Sequence, residues 1–191
     1  MSTLKSIPGV ISASCMNGSI LDPEETMHRG FSWEGQLPDG RQIRFPSPRF
    51  SHEFIETIGI EMKAGRSFLG SYTEQEEESK IIVNESAVRM MGVNDPVGRI
   101  IYYGPEHSPK EKQIIGVVKD FHFGSLHAKV GPVFLMYGPR EKDVVVKLRA
   151  GSERAVIESL SSIYEKFHSG YPFEFKFLDE DYQALYASEK L

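Results

Sequence analysis

The stretch QIIGVVKDFHFGSLHAKVGPVFLMYG, residues 113–138, holds two apolar runs joined by a polar loop. Residues 114–118 (IIGVV) and 133–137 (VFLMY) are continuous and rich in β-branched or aromatic side chains, which is typical of strands buried on both faces of a sheet. The loop between them carries Asp120, His122 and His127. We therefore expect two core strands here, joined by a loop that is an active site, a ligand loop or a structural connection.

Working outward, the pattern predicts short strands and helices that alternate along the chain. The expected strands are residues 10–15, 31–33, 60–64, 80–83, 99–103, 143–149 and 173–177. The expected helices are residues 52–58, 85–91, 153–168 and 181–187, with N-caps at Ser51, Asn84, Ser152 and Asp179.

Three segments carry further expectations. Residues 41–50 contain two prolines and are expected to be an edge strand or an extended approach to a helix. Residues 71–79, with four glutamates, are expected to be a solvated loop. Helix 153–168 has the strongest helical pattern, with apolar side chains at three- and four-residue steps that predict one buried face: Val156, Leu160, Ile163, Tyr164 and Phe167.

Composition excludes several classes of protein. The chain has 191 residues and a net charge of −5, which argues against nucleic-acid binding because phosphate contacts need clustered basic side chains. No apolar run reaches the roughly 18–20 residues that span a bilayer, and the first residues resemble no signal peptide. Cys15 is the single cysteine, so an intramolecular disulfide and a cysteine-based zinc cluster are excluded.

The sequence offers few motifs for chemistry. Phosphate-binding loops, the GxSxG nucleophile motif and HExxH are absent. Asp120, His122 and His127 have ligand and base chemistry and would be the centre of a metal-dependent hydrolase, but their spacing matches no regular ligand pattern. Trp33 and Tyr103 would line the site of a stand-alone periplasmic ligand-binding or sensor module, although Trp33 also suits a small core.

Charge at the predicted last helix has a structural explanation. Asp179, Glu180 and Asp181 stand at its start, where carboxylates complement the helix dipole. The helical pattern reaches the end of the chain without a C-cap, so we expect the sequence to be part of a longer protein.

Four segments, in order, resemble one protein family. They are IEMKAGRSF (60–68), VNESA with the following GVNDPVG (83–87 and 92–98), IIGVVKDFHFGSLH (114–127), and FEFKFLDE with Tyr186 (173–180). Together they resemble the MacB-like periplasmic core domain of ABC transporter permeases, within the FtsX-like permease superfamily, in the form common in Bacteroidetes-type bacteria. The resemblance runs from about residue 7 to residue 186.

The resemblance implies an α+β fold with two subdomains. A porter-like βαβ-type unit would be formed by both chain ends, residues 1–70 and 141–191, and a small inserted α/β Sabre-like unit by residues 71–140. A split architecture also follows from the pattern alone, since strand–helix–strand units at 45–64 and 144–177 flank a segment of different texture.

The resemblance also implies a function. The domain would lie on the periplasmic side of the bacterial inner membrane, be non-catalytic, and couple motion of the transmembrane helices to an exported substrate or periplasmic partner. Expected partners are the transmembrane helices of its own permease chain, a cytoplasmic ABC ATPase and a periplasmic adaptor protein, with a dimeric full-length protein. No catalytic, cofactor-binding or metal-binding residue carries over, and no cofactor is expected. We thus expect Phe121, Phe123 and Leu126 to matter as packing, more than His122.

Overall fold

The computed structural model describes residues 2–18, 20, 22–36, 43–68, 70, 72–124, 129–138, 143–168 and 170–178. Its helices are α1 (Ser2–Lys5), α2 (Phe54–Ile58), α3 (Glu74–Glu78), α4 (Glu85–Met91) and α5 (Glu153–Phe167), and a 3₁₀ turn covers Pro23–Thr26. Its strands are β1 (Val10–Met16), β2 (Met27–His28), β3 (Phe31–Ser32), β4 (Phe45–Pro46), β5 (Arg49–Phe50), β6 (Met62–Gly65), β7 (Lys80–Asn84), β8 (Ile100–Tyr103), β9 (Lys110–Val118), β10 (Phe134–Tyr137) and β11 (Asp143–Leu148).

The chain forms two compact units. The terminal unit contains residues 1–13 and 146–191, and the central unit contains residues 14–145. In the terminal unit β11 neighbours β1, and the amide of Arg149 donates to the carbonyl of Gly9 (2.8 Å). The predicted subdomain boundaries after residues 70 and 140 stay a prediction.

A mixed sheet organises the central unit. Its strands follow the order β1-β5-β10-β7-β9-β8-β3. The pairs β5–β10 and β7–β9 are parallel, whereas β1–β5, β10–β7, β9–β8 and β8–β3 are antiparallel. β9 is long enough to pair β8 along its first half and β6 along its second half, on the same edge. The two runs of the opening stretch are thus neighbours of β7, and their prediction as core strands is confirmed.

Both faces of this sheet are covered by apolar side chains. Ile82, Ile115 and Leu135 face a cluster that includes the aromatic rings before and within α2. Their chain neighbours Ile81 and Phe134 face the opposite way, into a second cluster. Because a strand alternates its side chains between faces, burial on both sides requires an uninterrupted apolar run. This requirement explains why the two buried runs, residues 114–118 and 133–137, contain no charged or amide side chain.

Gly116 interrupts the branched residues of β9 for a steric reason. A Cβ atom at this position would overlap the carbonyl oxygen of Arg66, directly after β6. A Cβ atom at Gly65, which has a positive φ of 71°, would overlap the carbonyl oxygen of Ile115. The β6–β9 ladder is irregular between Met62 and Ala64. Two glycines facing each other therefore allow the strands to approach.

The acidic segment after residue 71 is a helix, so the prediction of a solvated loop is wrong. Thr73 and Glu76 form a reciprocal capping box at the start of α3, which offsets the repulsion among the glutamates. Glu77 is fully buried, and its Oε1 lies 3.5 Å from the guanidinium of Arg66. The Arg66 guanidinium also sits over the ring of Tyr72, 4.5 Å from its centroid. One of the four glutamates of this segment therefore faces inward, which its acidic composition did not indicate.

Ser51 does not cap α2, which begins later than predicted. The hydroxyl of Ser51 accepts from the amide of Cys15 (2.9 Å) and lies 3.0 Å from the hydroxyl of Ser14. Ser51 thus extends the pairing of β1 with β5, and Glu53, with a φ of 64°, precedes the helix. The end of the helix at Gly59 is confirmed.

Residues 41–50 were predicted to be an edge strand or an extended approach to a helix, and the outcome is divided. β4, which contains Pro46, is an edge strand, because β2 is its one partner within the described chain. The residues after Pro48 are not at an edge. β5 has partners on both sides, β1 and β10. Pro46 lies in the edge strand β4 and Pro48 precedes β5, and the carbonyl of Pro48 still accepts from the amide of Met136 (2.9 Å). The internal position of β5 in the sheet is therefore set by Arg49 and Phe50, which follow Pro48.

The terminal unit departs most from expectation. Helix α5 forms as predicted, but Ser152 donates its hydroxyl to the carbonyls of Arg149 and Gly9 in place of a cap. Phe167, expected on the buried face, is 78 % exposed. Residues 173–177 have no strand pairing within the described chain, so that prediction is wrong. The predicted helix at 181–187 and its cap Asp179 lie outside the described residues.

Candidate functional site

Two parallel strands end side by side in the central unit, and polar residues follow each of them. β7 ends at Asn84 and β9 at Val118, and these two residues are ladder partners. Asp120 comes two residues after β9, and Ser86 lies in the first turn of α4. The carboxyl ends of parallel strands are where polar groups of α/β sheets converge on ligands. This edge of the sheet is therefore the candidate functional site.

Donors from α4 and its start surround the carboxylate of Asp120. Its Oδ1 accepts from the side-chain amide of Asn84 (2.9 Å) and the backbone amide of Ser86 (2.8 Å). Its Oδ2 accepts from the hydroxyl of Ser86 (2.9 Å) and the guanidinium of Arg89 (2.6 Å). We call these four residues, Asn84, Ser86, Arg89 and Asp120, the polar clamp. The clamp fastens the loop after β9 to α4.

The electrostatics of the clamp keep Asp120 ionised. Partial burial is the largest influence and raises its pKa, but the hydrogen bonds from Arg89 and Ser86 together outweigh it, so the pKa lies below its ordinary value. The hydrogen bond with Asp120 raises the pKa of Arg89 in return. A carboxylate that binds protons this weakly, with both oxygens occupied, is poorly suited to act as a general base.

Asn84 connects three segments of the central unit. Its side-chain oxygen accepts from the amides of Ala87 (3.0 Å) and Val133 (2.9 Å). Its side-chain nitrogen donates to Asp120 and to the carbonyl of Gly131 (2.8 Å). Both donors and both acceptor sites of this fully buried amide are used. The prediction of Asn84 as N-cap is confirmed, and the cap is one of four roles.

The histidines of the loop do not join the clamp. His122 is exposed, and His127 lies outside the described residues. Across the described ranges, no group of three or more His, Cys, Asp and Glu side chains is placed to hold a metal ion. Asp120, the third member of the predicted metal set, is bound to Arg89 and the start of α4. The described hydrogen bonds of Asp120 thus attach the loop after β9 to α4.

The aromatic residues of the loop are half-buried. Phe121 and Phe123 pack against the cluster that includes Ile82 and Leu135, with their own ring centroids 6.3 Å apart. Leu126 lies outside the described residues. The expected contribution of the two phenylalanines to packing is confirmed, but neither is fully buried.

Trp33 and Tyr103 are partly buried and pack against the core cluster on the opposite face of the sheet. Tyr103 lies 4.7 Å from Phe31, which stacks on Phe134 at 4.5 Å. The half-buried indole of Trp33 lies 6.4 Å from Phe45 and from Phe134. The rings of Trp33 and Tyr103 thus lie at the border of an aromatic core and cover its buried members, as expected for a small core.

The sequence pattern missed the partners of Asp120. Ser86 and Arg89 are ordinary residues of a predicted amphipathic helix, and nothing in their spacing links them to position 120. The sequence did contain one signal. The apolar run IIV (81–83) is followed directly by Asn84, and the run IIGVV (114–118) is followed two positions later by Asp120. Had the runs been paired as parallel neighbours, Asn84 and Asp120 would have been expected at one edge.

Comparison with known proteins gives matches among solved structures. No protein-family model matches the chain, and no curated protein matches it. Among the described residues, no helix is long and apolar enough to cross a membrane.

Three solved structures share the fold. The periplasmic region of MacB from Actinobacillus actinomycetemcomitans superposes with a TM-score of 0.66 at 15 % identity, covering 97 % of this chain and 80 % of that one. The extracellular domain of the noncanonic ABC-type transporter YknZ from Gram-positive bacteria gives 0.60 at 11 % identity, covering 87 % and 81 %. A domain assigned to a permease protein of Porphyromonas gingivalis gives 0.58 at 17 % identity, covering 94 % and 85 %. The resemblance inferred from the motifs is confirmed at the level of the fold: the chain has the mixed α+β fold of the extracytoplasmic domains of MacB-like ABC transporter permeases.

Proposed function

We propose that the chain is the extracytoplasmic domain of an ABC transporter permease subunit. The observation that carries this proposal is the likeness to the periplasmic region of MacB, which covers 97 % of this chain at a TM-score of 0.66. Two further permease domains share the fold over most of the chain. The family motifs in the sequence point the same way.

The proposed role is mechanical and non-catalytic. The domain couples motion of the transmembrane helices to an exported substrate or a periplasmic partner. Two features support this role: Asp120 has both oxygens occupied by donors from α4, and the loop between β9 and β10 is anchored at both Asn84 and Asp120. Asp120, Gly131 and Val133, on the two described sides of this connection, are thus bonded to Asn84 at the end of β7, which suits the transmission of force.

The finer architecture and the assembly are part of the proposal. A porter-like subdomain of residues 1–70 and 141–191 carries an inserted Sabre-like subdomain of residues 71–140. The domain lies on the periplasmic side of the inner membrane, next to the transmembrane helices of its own chain. A cytoplasmic ABC ATPase, a periplasmic adaptor and a second permease subunit complete the transporter.

The gene that encodes the chain provides the test. We expect it to encode hydrophobic segments of about 20 residues before Met1 and after Leu191, with an ATPase gene beside it. In intact cells, a Cys15→Ser, Asn94→Cys variant of the full-length protein should react with a membrane-impermeant maleimide from outside the cytoplasm, since Asn94 is exposed. A complete reading frame without hydrophobic segments, or labelling only after lysis, would refute the proposal.

A further inference from the structure

A strained backbone position lies at the start of α2. Glu53, which precedes the helix, has a φ of 64° and a ψ of 8°. Among the described residues, it is the one non-glycine residue with a positive φ. The left-handed region is unfavourable for L-amino acids other than glycine, and strained backbone persists where the surrounding structure holds it. The chain therefore stores strain where it enters α2.

Two buried polar atoms lie in the same short segment. Thr57 is 5 % exposed, and its hydroxyl has no hydrogen-bond partner within the described chain. Nε2 of His52 is likewise shielded from solvent and has no described partner, and the imidazole lies 4.8 Å from the ring of Tyr137. Burial of a polar atom without a hydrogen bond is unfavourable, and such atoms are uncommon in folded proteins. Residues 52–57 thus combine one strained backbone position with two unsatisfied polar groups.

Apolar burial holds this segment in place. Phe54 and Ile55 are buried in the core cluster, and the ring of Phe54 stacks on Phe50 at 4.5 Å. The gain from burying two large side chains is of the same order as the combined cost of the strain and the two unsatisfied groups. β5 and β10, which add side chains to the same cluster, contain no described residue of either unfavourable kind. The folded position of α2 is therefore less strongly favoured than that of the strands beside it.

A polar contact links α2 to the next part of the chain. The carboxylate of Glu56 accepts from the hydroxyl of Ser67 (2.5 Å). Ser67 follows Arg66, whose amide donates to the carbonyl of Ile115 in β9 (3.0 Å) and whose guanidinium pairs with Glu77 of α3. A change at α2 thus reaches the connection between β6 and α3.

We propose that residues 52–57 form a local switch in the central unit, with the folded α2 as the strained state and an opened α2 as the relaxed state. On opening, Glu53 leaves the left-handed region, and the imidazole of His52 and the hydroxyl of Thr57 gain water as a hydrogen-bond partner. The contact between α2 and Ser67 breaks in the same step, which releases the connection after β6. The switch is a property of the domain itself and does not depend on what the chain is attached to.

Hydrogen exchange of single amides, followed by NMR on the 191-residue chain, tests the switch. The amide of Thr57 donates to the carbonyl of Glu53 (2.8 Å) and reports on α2. The amide of Met136 donates to the carbonyl of Pro48 (2.9 Å) and reports on the sheet. Because α2 opens without the sheet, the protection factor of the Thr57 amide should be at least about a hundredfold lower than that of the Met136 amide.

Removing the strain or an unsatisfied group should close the switch. Glu53→Gly suits the left-handed region, as does Glu53→Asn, which also keeps a polar side chain. Each should raise the protection of the amide at position 57 about fivefold. Thr57→Val removes the unpartnered hydroxyl and should raise this protection by about the same factor.

Two further variants serve as controls. Glu106→Gly makes the same change at an exposed position between β8 and β9 and should leave the protection of the Thr57 amide unchanged. Ser67→Ala removes the contact with Glu56 and should lower this protection about threefold.

Two results would overturn the inference. One is equal protection of the Thr57 and Met136 amides, because α2 would then open only when the sheet unfolds. The other is unchanged or lower protection at position 57 in the Glu53 and Thr57 variants, because the native residues would then not strain α2. Neither result depends on the gene that encodes the chain, so this inference and the proposed function can fail separately.

Discussion

α5 has the stronger helical pattern in the sequence, but α4 is the more firmly packed of the two helices. α5 has 15 residues and the most regular apolar spacing in the chain, yet Val156 is its one fully buried side chain. α4 has seven residues, but it buries Ser86, Ala87 and Met91 and is held by Asn84 at one end and Gly92 at the other. Helix length and periodicity predict that a helix forms, whereas its stability comes from what packs and bonds against it.

The two helices also use polar groups differently. The polar clamp ties α4 to the loop after β9 through buried or half-buried hydrogen bonds. At α5, Ser152 turns its hydroxyl back to the preceding turn and to Gly9, and the far end carries exposed rings. The comparison therefore predicts large effects on stability near α4 and small effects at the end of α5.

Replacing Asn84 by Ala should have the largest effect. The substitution leaves the amides of Ala87 and Val133 and the carbonyl of Gly131 without these side-chain partners. It also removes one of the two donors to Oδ1 of Asp120. We expect the free energy of unfolding to fall by about 3–5 kcal/mol, measured by urea denaturation. Asn94→Ala, at an exposed turn position, should change it by less than about 0.5 kcal/mol. A similar small change for Asn84→Ala would show that the clamp does not stabilise α4.

Phe121→Ala should have the next largest effect. Its ring is half-buried against the core cluster, so the loss should be about 2 kcal/mol, below the roughly 3–5 kcal/mol typical of a fully buried phenylalanine. His122→Ala is the matched control in the same loop and should be neutral within about 0.5 kcal/mol, because His122 is exposed. Chemical denaturation of the three proteins under one condition decides the order. If His122→Ala cost more than Phe121→Ala, the histidine would have a role that its exposure does not suggest.

Asp120→Asn tests the charge of the clamp through pH. The folded-state pKa of Asp120 is lowered, so its contribution to stability is present above its unfolded pKa of about 4 and is lost as pH falls through the folded value. We expect wild type to exceed the variant by about 1 kcal/mol at neutral pH, a small figure because Arg89 is solvent-exposed and screened. Below about pH 4 the difference should shrink. Unfolding curves from pH 7 to pH 3 provide the measurement, and a difference that grows toward acid would contradict it.

The sequence predicts the strands of the central unit well because their constraint is local. The runs at 81–83, 114–118 and 133–137 must be apolar throughout when both faces are covered, and that requirement is visible in the letters. Caps at Asn84 and Gly92 are likewise set by neighbouring residues. The resemblance to MacB-like domains, supported by solved structures over nearly the whole chain, also rests on these segments.

What the sequence could not provide depends on contacts between distant residues. The burial of Glu77 requires Arg66 beside it, and the bonding of Ser51 requires Ser14 and Cys15 from β1. The same holds for the clamp, since nothing local links Asp120 to Arg89. Residues 173–177 show the converse: perfect alternation predicts a strand, but a strand also needs a partner.

Phe167→Ala should have the smallest effect, and it makes the contrast between the helices sharpest. Because the ring is 78 % exposed in the folded chain, removing it takes little apolar surface out of a buried environment, and the free energy of unfolding should change by less than about 0.5 kcal/mol. Val156→Ala on the same helix, fully buried beside Gly9 and Ser152, should cost about 2 kcal/mol. Thermal and urea unfolding of both variants measures the difference. If Phe167→Ala were as damaging as Val156→Ala, the ring of Phe167 would be packed against other protein groups in solution, contrary to its exposure in the structure.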